Sequence, residues 1–157
     1  MFLGLGSLSQ AAALPFRVSG DTTEVLFVTS RRRQRWVLPK GWPKKSEALW
    51  QAAAREAREE AGVEGEIARK ALGSYRYEKR MRQGYDVPCD VFVYPFHVIR
   101  ENETWREGSE RERLWCPLEV APATCHDADL VHLLTGLAEN GGQALVRSVA
   151  DAPPIGS

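Results

Sequence analysis

Apolar and polar positions change period along the chain, and the changes mark out the elements. Ala11–Val18 and Glu24–Thr29 are short, mostly apolar runs joined by Ser19-Gly20-Asp21, a turn composition, and they predict two strands. Trp36–Leu38 predicts a third, short strand, after which Pro39, Gly41 and Pro43 mark a loop. The pattern then becomes helical. At 100° per residue, Trp50, Ala53, Ala54, Ala57 and Ala61 share one arc, an apolar face able to press on a sheet. Ser46 is the expected N-cap, Glu47 falls in the first turn, and Gly62 suits the left-handed position that closes a helix. Strand character returns through Leu72–Tyr77. A loop at Gln83-Gly84 follows, then Pro88–Ile99, where Val91 and Val93 alternate imperfectly with polar residues. Asn102 and Glu107-Gly108-Ser109 read as loop, and Leu114–Cys116 as a short strand. Asp127–Glu139 carries the apolar spacing of a second helix through Leu130, Val131, Leu133, Leu134 and Leu137, which Gly141-Gly142 ends. Strands, a helix, a hairpin and a final helix predict an α/β fold, a mixed sheet covered by helices. Residues 1–9 read as a loose N-terminal arm, 10–142 as the domain and 143–157, with Pro153-Pro154, as a flexible tail.

The polar side of the central helix changes the picture from fold to chemistry. Glu56, Glu59 and Glu60 fall on an arc about 100° wide, because positions i, i+3 and i+4 are neighbours. Three carboxylates there repel one another, with Arg55 and Arg58 near by to offset them. A hard divalent cation would relieve the repulsion, and oxygen donors suit Mg²⁺ or Mn²⁺. A solvated, charged helix face is the ordinary alternative, and the helix alone does not decide between them.

The chain has 157 residues, 43% hydrophobic and 27% charged, enough for one domain with a real core. Its formal net charge is zero, so no global field recruits nucleic acid or a membrane. The charge is uneven, however. Between Ser30 and Ser46 stand Arg31, Arg32, Arg33, Arg35, Lys40, Lys44 and Lys45, with no acidic residue, directly before the glutamate helix. A basic rim beside a carboxylate cluster suits metal-assisted work on a polyphosphate; a solvated loop, or an RNA patch through Arg31–Arg35, is the competing reading. Cys89, Cys116 and Cys125 are odd in number and lack C-x-x-C spacing, so they read as reduced core thiols of a cytoplasmic protein. The apolar start has no basic residue before Arg17, which argues against a signal peptide, and no run reaches membrane-spanning length. His97, His126 and His132 are scattered and read as surface or core histidines. Trp42 is a candidate aromatic wall for a pocket, whereas the helix phase sends Trp50 to the core.

From Gly41, five residues lead to Glu47 and seven more to Arg55-Glu56-Ala57-Arg58-Glu59-Glu60-Ala61-Gly62-Val63. This spacing, G-x5-E-x7-R-E-U-x-E-E-x-G-U with U aliphatic, resembles the signature of the Nudix hydrolases; only Ala57 is smaller than usual. The resemblance implies an α/β/α sandwich with a mixed β-sheet and hydrolysis of phosphoanhydride bonds with Mg²⁺ or Mn²⁺. It implies Glu56 and Glu60 as metal ligands, completed by the carbonyl of Lys40, with Gly41 letting backbone come close. It further implies Glu59 as proton acceptor, and Arg55 as the group that pairs with a carboxylate and orients Glu56. Outside the signature, Arg35-Trp36-Val37-Leu38-Pro39-Lys40-Gly41, Trp105, Arg111-x-Arg113-x-Trp115 and Leu118-Glu119 are similar to the branch acting on diadenosine and diphosphoinositol polyphosphates. That likeness places Arg31, Arg32, Arg35, Lys79, Arg80, Arg111 and Arg113 around a phosphate chain. One departure is Leu8-Ser9-Gln10, uncharged where the inositol enzymes carry a basic cluster, which leaves dinucleoside polyphosphates level with inositol pyrophosphates. The expected partner is a small polyphosphate bound by a monomer or homodimer. An ADP-ribose or other nucleoside-diphosphate-linked pyrophosphatase is the alternative. A non-catalytic nucleotide-binding module is disfavoured because all three helix glutamates are present.

Overall fold

The computed structural model describes residues 8–32 and 34–150. Most of the expected N-terminal arm, the last part of the expected tail with Pro153-Pro154, and Arg33 lie outside the described residues. The elements in order are β1 (Leu8–Ser19), β2 (Thr22–Thr29), β3 (Trp36–Val37), β4 (Lys40–Gly41), α1 (Leu49–Ala61), β5 (Val63–Ile67), β6 (Gly73–Arg80), β7 (Asp86–Glu101), β8 (Arg113–Pro117), α2 (Ala121–Thr124), α3 (Ala128–Ala138) and α4 (Gln143–Ala150).

β1 is the hub of a mixed sheet. It runs parallel to β7, from Leu8 opposite Cys89 to Phe16 opposite His97, and antiparallel to β2 and β4. β7 carries β5 and β6, both antiparallel, and β2 carries β3 and β8. Both faces of β1 are covered, so its sequence reads as a continuous apolar run rather than an alternation. Ala11 and Ala13 face Ala52, Ala53, Ala57 and Ala61 of α1, with Leu26 and Val28 of β2 beside them. Ala12, Leu14 and Phe16 face the other way, onto the layer holding Leu130, Leu134, Leu137, Leu145 and Val149. The result is the expected α/β/α sandwich. Alanine meeting alanine lets α1 lie close to the sheet, which accounts for the small residue at position 57. Each fully buried leucine of the opposite layer contributes about 1.5–3 kcal/mol.

Three boundaries differ from expectation. β1 begins at Leu8, so Leu8 and Ser9 belong to the sheet rather than to an arm. Residues 143–150 form α4 instead of a flexible tail. Gly141 and Gly142, with φ of 67° and 81°, reverse the chain so that Leu145 and Val149 bury one turn apart. Ser46 does not cap α1, because at φ 66° it sits in a turn closed by the Glu47 N–H on the Lys44 carbonyl. Ala48 is the N-cap, and its N–H donates to Oε1 of Gln51 at 2.8 Å. Gly62 closes the helix in the expected left-handed conformation.

Candidate active site

The two-residue strand β4 lies beside β1 and brings Lys40 and Gly41 against the polar face of α1. Glu56 and Glu60, on successive turns of that face, are only 9% and 7% exposed and are the buried acidic residues among those described. A buried carboxylate needs a partner. For Glu56 it is Arg55, whose Nη1 donates to Oε1 at 2.5 Å. Arg55 also forks onto Glu47, with Nε and Nη2 each 2.9 Å from a carboxylate oxygen, and Nη2 donates to the Trp42 carbonyl at 3.1 Å. These bonds hold Glu47 down at about 2 and raise Arg55 above its ordinary range. Arg55 thus bridges the Glu47 and Glu56 carboxylates. Glu47, however, acts from the loop before the helix rather than from its first turn.

Glu60 is in the opposite electrostatic situation. Burial, then its contact with Glu56, pushes it up to about 9 against the opposing pull of Arg111. The Lys40 N–H donates to Glu60 Oε1 at 3.3 Å, and the Lys40 ammonium, lowered by burial, stands 5.0 Å over the Tyr77 ring. Gly41 leaves no space for a side chain: a Cβ there would lie 2.6 Å from Cδ of Glu56. Among the described residues no three His, Cys, Asp or Glu side chains are arranged to hold a metal. Glu56 and Glu60 supply two oxygen-donor groups beside the half-buried backbone of Lys40 and Gly41. That set of oxygen donors fits a hard divalent cation. Glu59 lies at the edge of this face, 3.3 Å from Arg106 and 3.6 Å from Arg55.

A cleft of about 910 Å³ opens over Glu60. Arg31, Arg32, Arg35, Lys79, Arg80 and Arg111 all line it, so six of the expected substrate residues are brought together from the β2–β3 loop, β6 and the segment before β8. Arg113 is not among them. Its Nη1 donates to the carbonyls of Asn102, Ala61 and Gly62 at 3.0, 3.2 and 3.4 Å, and its guanidinium stacks 4.0 Å over Trp105. The open carbonyls at the end of α1 attract a cation, and Arg113 stands where it can serve them. Trp42 does not line the cleft either, whereas Trp36 and His126 do. Sequence reasoning missed Gln10, Tyr77, Arg82 and Asp127 on the same walls. Gln10 is 3% exposed and accepts the Tyr77 hydroxyl at 2.7 Å. A lone amide opening an apolar run was the available signal.

A family model described as NUDIX domain matches residues 8–135. The chain is 35% identical to Nudix hydrolase 16, mitochondrial, of Arabidopsis thaliana over 133 residues, spanning 76% of this chain and 73% of that protein. It is 32% identical to diphosphoinositol polyphosphate phosphohydrolase 3-beta of Bos taurus over 155 residues, covering 96% of this chain and 90% of the relative. The crystal structure of the C. elegans Ap4A hydrolase superposes with a TM-score of 0.61 at 20% identity, over 90% of this chain and 99% of that one, a likeness of fold.

Proposed function

The chain belongs to the Nudix family and is a hydrolase, and from that premise we propose that it cleaves phosphoanhydride bonds of a polyphosphorylated small molecule with Mg²⁺ or Mn²⁺. One observation carries the reading: eight guanidinium or ammonium groups, the six named above with Lys40 and Arg82, line the same cleft as Glu60, which is buried beside Glu56. A dinucleoside polyphosphate and a diphosphoinositol polyphosphate both fit that charge. The full-length likeness to the Bos taurus protein supports the second, and the neutral Gln10 in the cleft supports the first.

Glu56 and Glu60 would hold the cation, with backbone at Lys40 and Gly41 closing the corner. When bound, the cation supplies Lewis-acid neutralisation of phosphoryl oxygens and helps ionise water. Arg55 fixes the Glu56 carboxylate through its bonds to Glu47 and Glu56. Glu59, held between Arg55 and Arg106, is the proton acceptor. Arg31, Arg32, Arg35, Lys79, Arg80 and Arg111 bind the phosphates. The three cysteines are free and buried, which suits a reducing compartment such as the cytoplasm; the Arabidopsis relative is named as mitochondrial. Among the described residues, no helix is long and apolar enough to cross a membrane.

The test is kcat/KM for diadenosine hexaphosphate, a diphosphoinositol polyphosphate and ADP-ribose at one salt concentration, with each metal, for the native chain and Glu59→Gln. The longer or more crowded polyphosphates should win, and Glu59→Gln should lose kcat while keeping metal affinity. ADP-ribose winning by more than about tenfold, close to 1.4 kcal/mol, would overturn the substrate reading. An equal loss of metal binding would make Glu59 a ligand instead.

A further inference from the structure

Arg111 reaches the cleft with every nitrogen already committed. Nε donates to Oε1 of Glu107 at 2.8 Å, Nη1 donates to the Thr29 carbonyl at 2.8 Å, and Nη2 stands 3.5 Å from Oε2 of Glu60. The same Glu107 oxygen takes Nη2 of Arg31 at 2.9 Å, and Arg31 also meets Glu110 at 3.1 Å. At this end of the cleft two guanidinium groups therefore face the carboxylates of Glu107 and Glu110, with Glu60 beside Arg111. Arg31 and Arg111 are not free cations waiting for phosphate.

The three commitments of Arg111 differ in how readily they can be exchanged. The Thr29 carbonyl belongs to the backbone of β2 and cannot withdraw. Glu60 is buried in the carboxylate pair. Glu107 sits in a turn whose backbone is anchored: its N–H donates to the Glu59 carbonyl at 3.0 Å, and Gly108 N–H donates to the Trp105 carbonyl at 3.0 Å. The Trp105 indole N–H in turn donates to the Glu60 carbonyl at 2.9 Å. The Glu107 carboxylate stands on a side chain that can rotate while this backbone stays in place. It matches a phosphate oxygen in charge and in its geometry toward guanidinium.

We propose that Glu107 is a resident competitor for substrate phosphate: between turnovers it occupies Arg31 and Arg111, and a phosphate of the substrate replaces it on that pair. The proposal rests on the polyphosphate reading of the cleft. It gives Glu107 a determining role in affinity, raising KM and easing release of the phosphorylated product. A brace that merely holds Arg111 in position for substrate would have the opposite sign, because its loss would weaken phosphate binding.

The experiment is calorimetric binding of inorganic tripolyphosphate, without metal, to the native chain, Glu107→Gln and Glu110→Gln, with thermal unfolding to check the fold. Glu107→Gln keeps the side chain's size and the anchoring backbone bond while removing the charge. It should tighten binding by about tenfold or more, as expected for one charged hydrogen bond no longer broken. Binding should also become more salt-dependent, because more cationic charge is open to the ligand. Glu110, whose 53% exposed side chain pairs with Arg31 alone among the described residues, should matter by less than about threefold. Unchanged or weaker binding by a folded Glu107→Gln, with tripolyphosphate still held by the native chain, overturns the competitor role alone. If neither chain binds tripolyphosphate, the polyphosphate reading falls and the competitor role with it. In turnover, KM should fall in the variant and kcat should fall with it if product release is limiting.

Discussion

Replacing Gly41 by alanine tests whether the metal corner depends on the approach of backbone to carboxylate. Gly41 does not have a positive φ, so alanine meets no backbone penalty, and the effect is steric. The added carbon would lie 2.6 Å from Glu56 Cδ and 2.7 and 2.9 Å from its two oxygens. Ordinary carbon contacts are about 3.5–4.0 Å, so the carboxylate must retreat by about 1 Å. Its retreat is opposed by the 2.5 Å bond from Arg55 and by burial, while β4 is held to β1 at Ala11 and Ala12. Overpacking of this kind costs about 1–3 kcal/mol, or about 2–4 °C in Tm per kcal/mol for a chain of this size. A ligand displaced by about 1 Å should lower kcat/KM about 100-fold. The assay is turnover of the best substrate across a Mg²⁺ titration, beside thermal unfolding of the same samples. Gly136→Ala is the control, because nothing lies within 4 Å of the added carbon in the last turn of α3; it should be neutral or slightly stabilising. A Gly41→Ala enzyme within about threefold of native kcat/KM and with unchanged Mg²⁺ dependence would refute the close-approach argument.

Glu60→Gln should lower kcat about 1,000-fold or more, consistent with about 4 kcal/mol of lost metal-assisted stabilisation, without unfolding the chain. Because Glu60 is raised to about 9 from an unfolded value near 4.3, the metal-free fold binds a proton that the unfolded chain releases. Stability from this group is therefore full in acid and is lost as pH rises through about 9. Melting of the metal-free chain from pH 5 to 9 should show that decline, and Glu60→Gln should flatten it; an equal decline in both would assign it elsewhere. Arg113→Ala should cost about 2–3 kcal/mol by removing the donor to three carbonyls and the stack on Trp105, while KM stays within about threefold. A raised KM with unchanged Tm would restore Arg113 to the substrate.

How far the sequence could be read depended on whether a feature repeats along the chain or arises between distant segments. The apolar runs of β1 and β2 and the arc of α1 repeat, and both proved to be the elements they implied. The glutamates of α1 are also periodic, so their shared face was legible. The start of α1 was not, because Ser46 and Glu47 have the composition of a cap yet close a turn with Lys44. α4 was hidden by its setting, a short apolar repeat between a Gly-Gly pair and a Pro-rich end. Arg111 and Arg113 are two residues apart and chemically identical. One enters the cleft and the other serves the end of α1, a difference made by what each meets across 50 or more residues of chain.

The same distinction explains how a chain with 21 basic and 21 acidic residues can present a cleft lined by cations, the proposed phosphate site. Net charge says nothing about which cations are already used. Arg55 is consumed by Glu47 and Glu56, and Arg31 and Arg111 by Glu107, Glu110 and Glu60. Among the described residues, Arg32, Arg35 and Lys79 line the cleft without an ion pair. An incoming polyphosphate therefore meets uncommitted charge first, where attraction opposes only desolvation. It gains the committed pair only when a further phosphate can take the place of Glu107. A substrate with two phosphates that satisfies the open cations has none left for that exchange, whereas a longer or more crowded one does. On the proposed polyphosphate reading, a preference for extended polyphosphates would follow from the order in which the cations become available, and it should persist even if the nucleoside or inositol portion makes no specific contact.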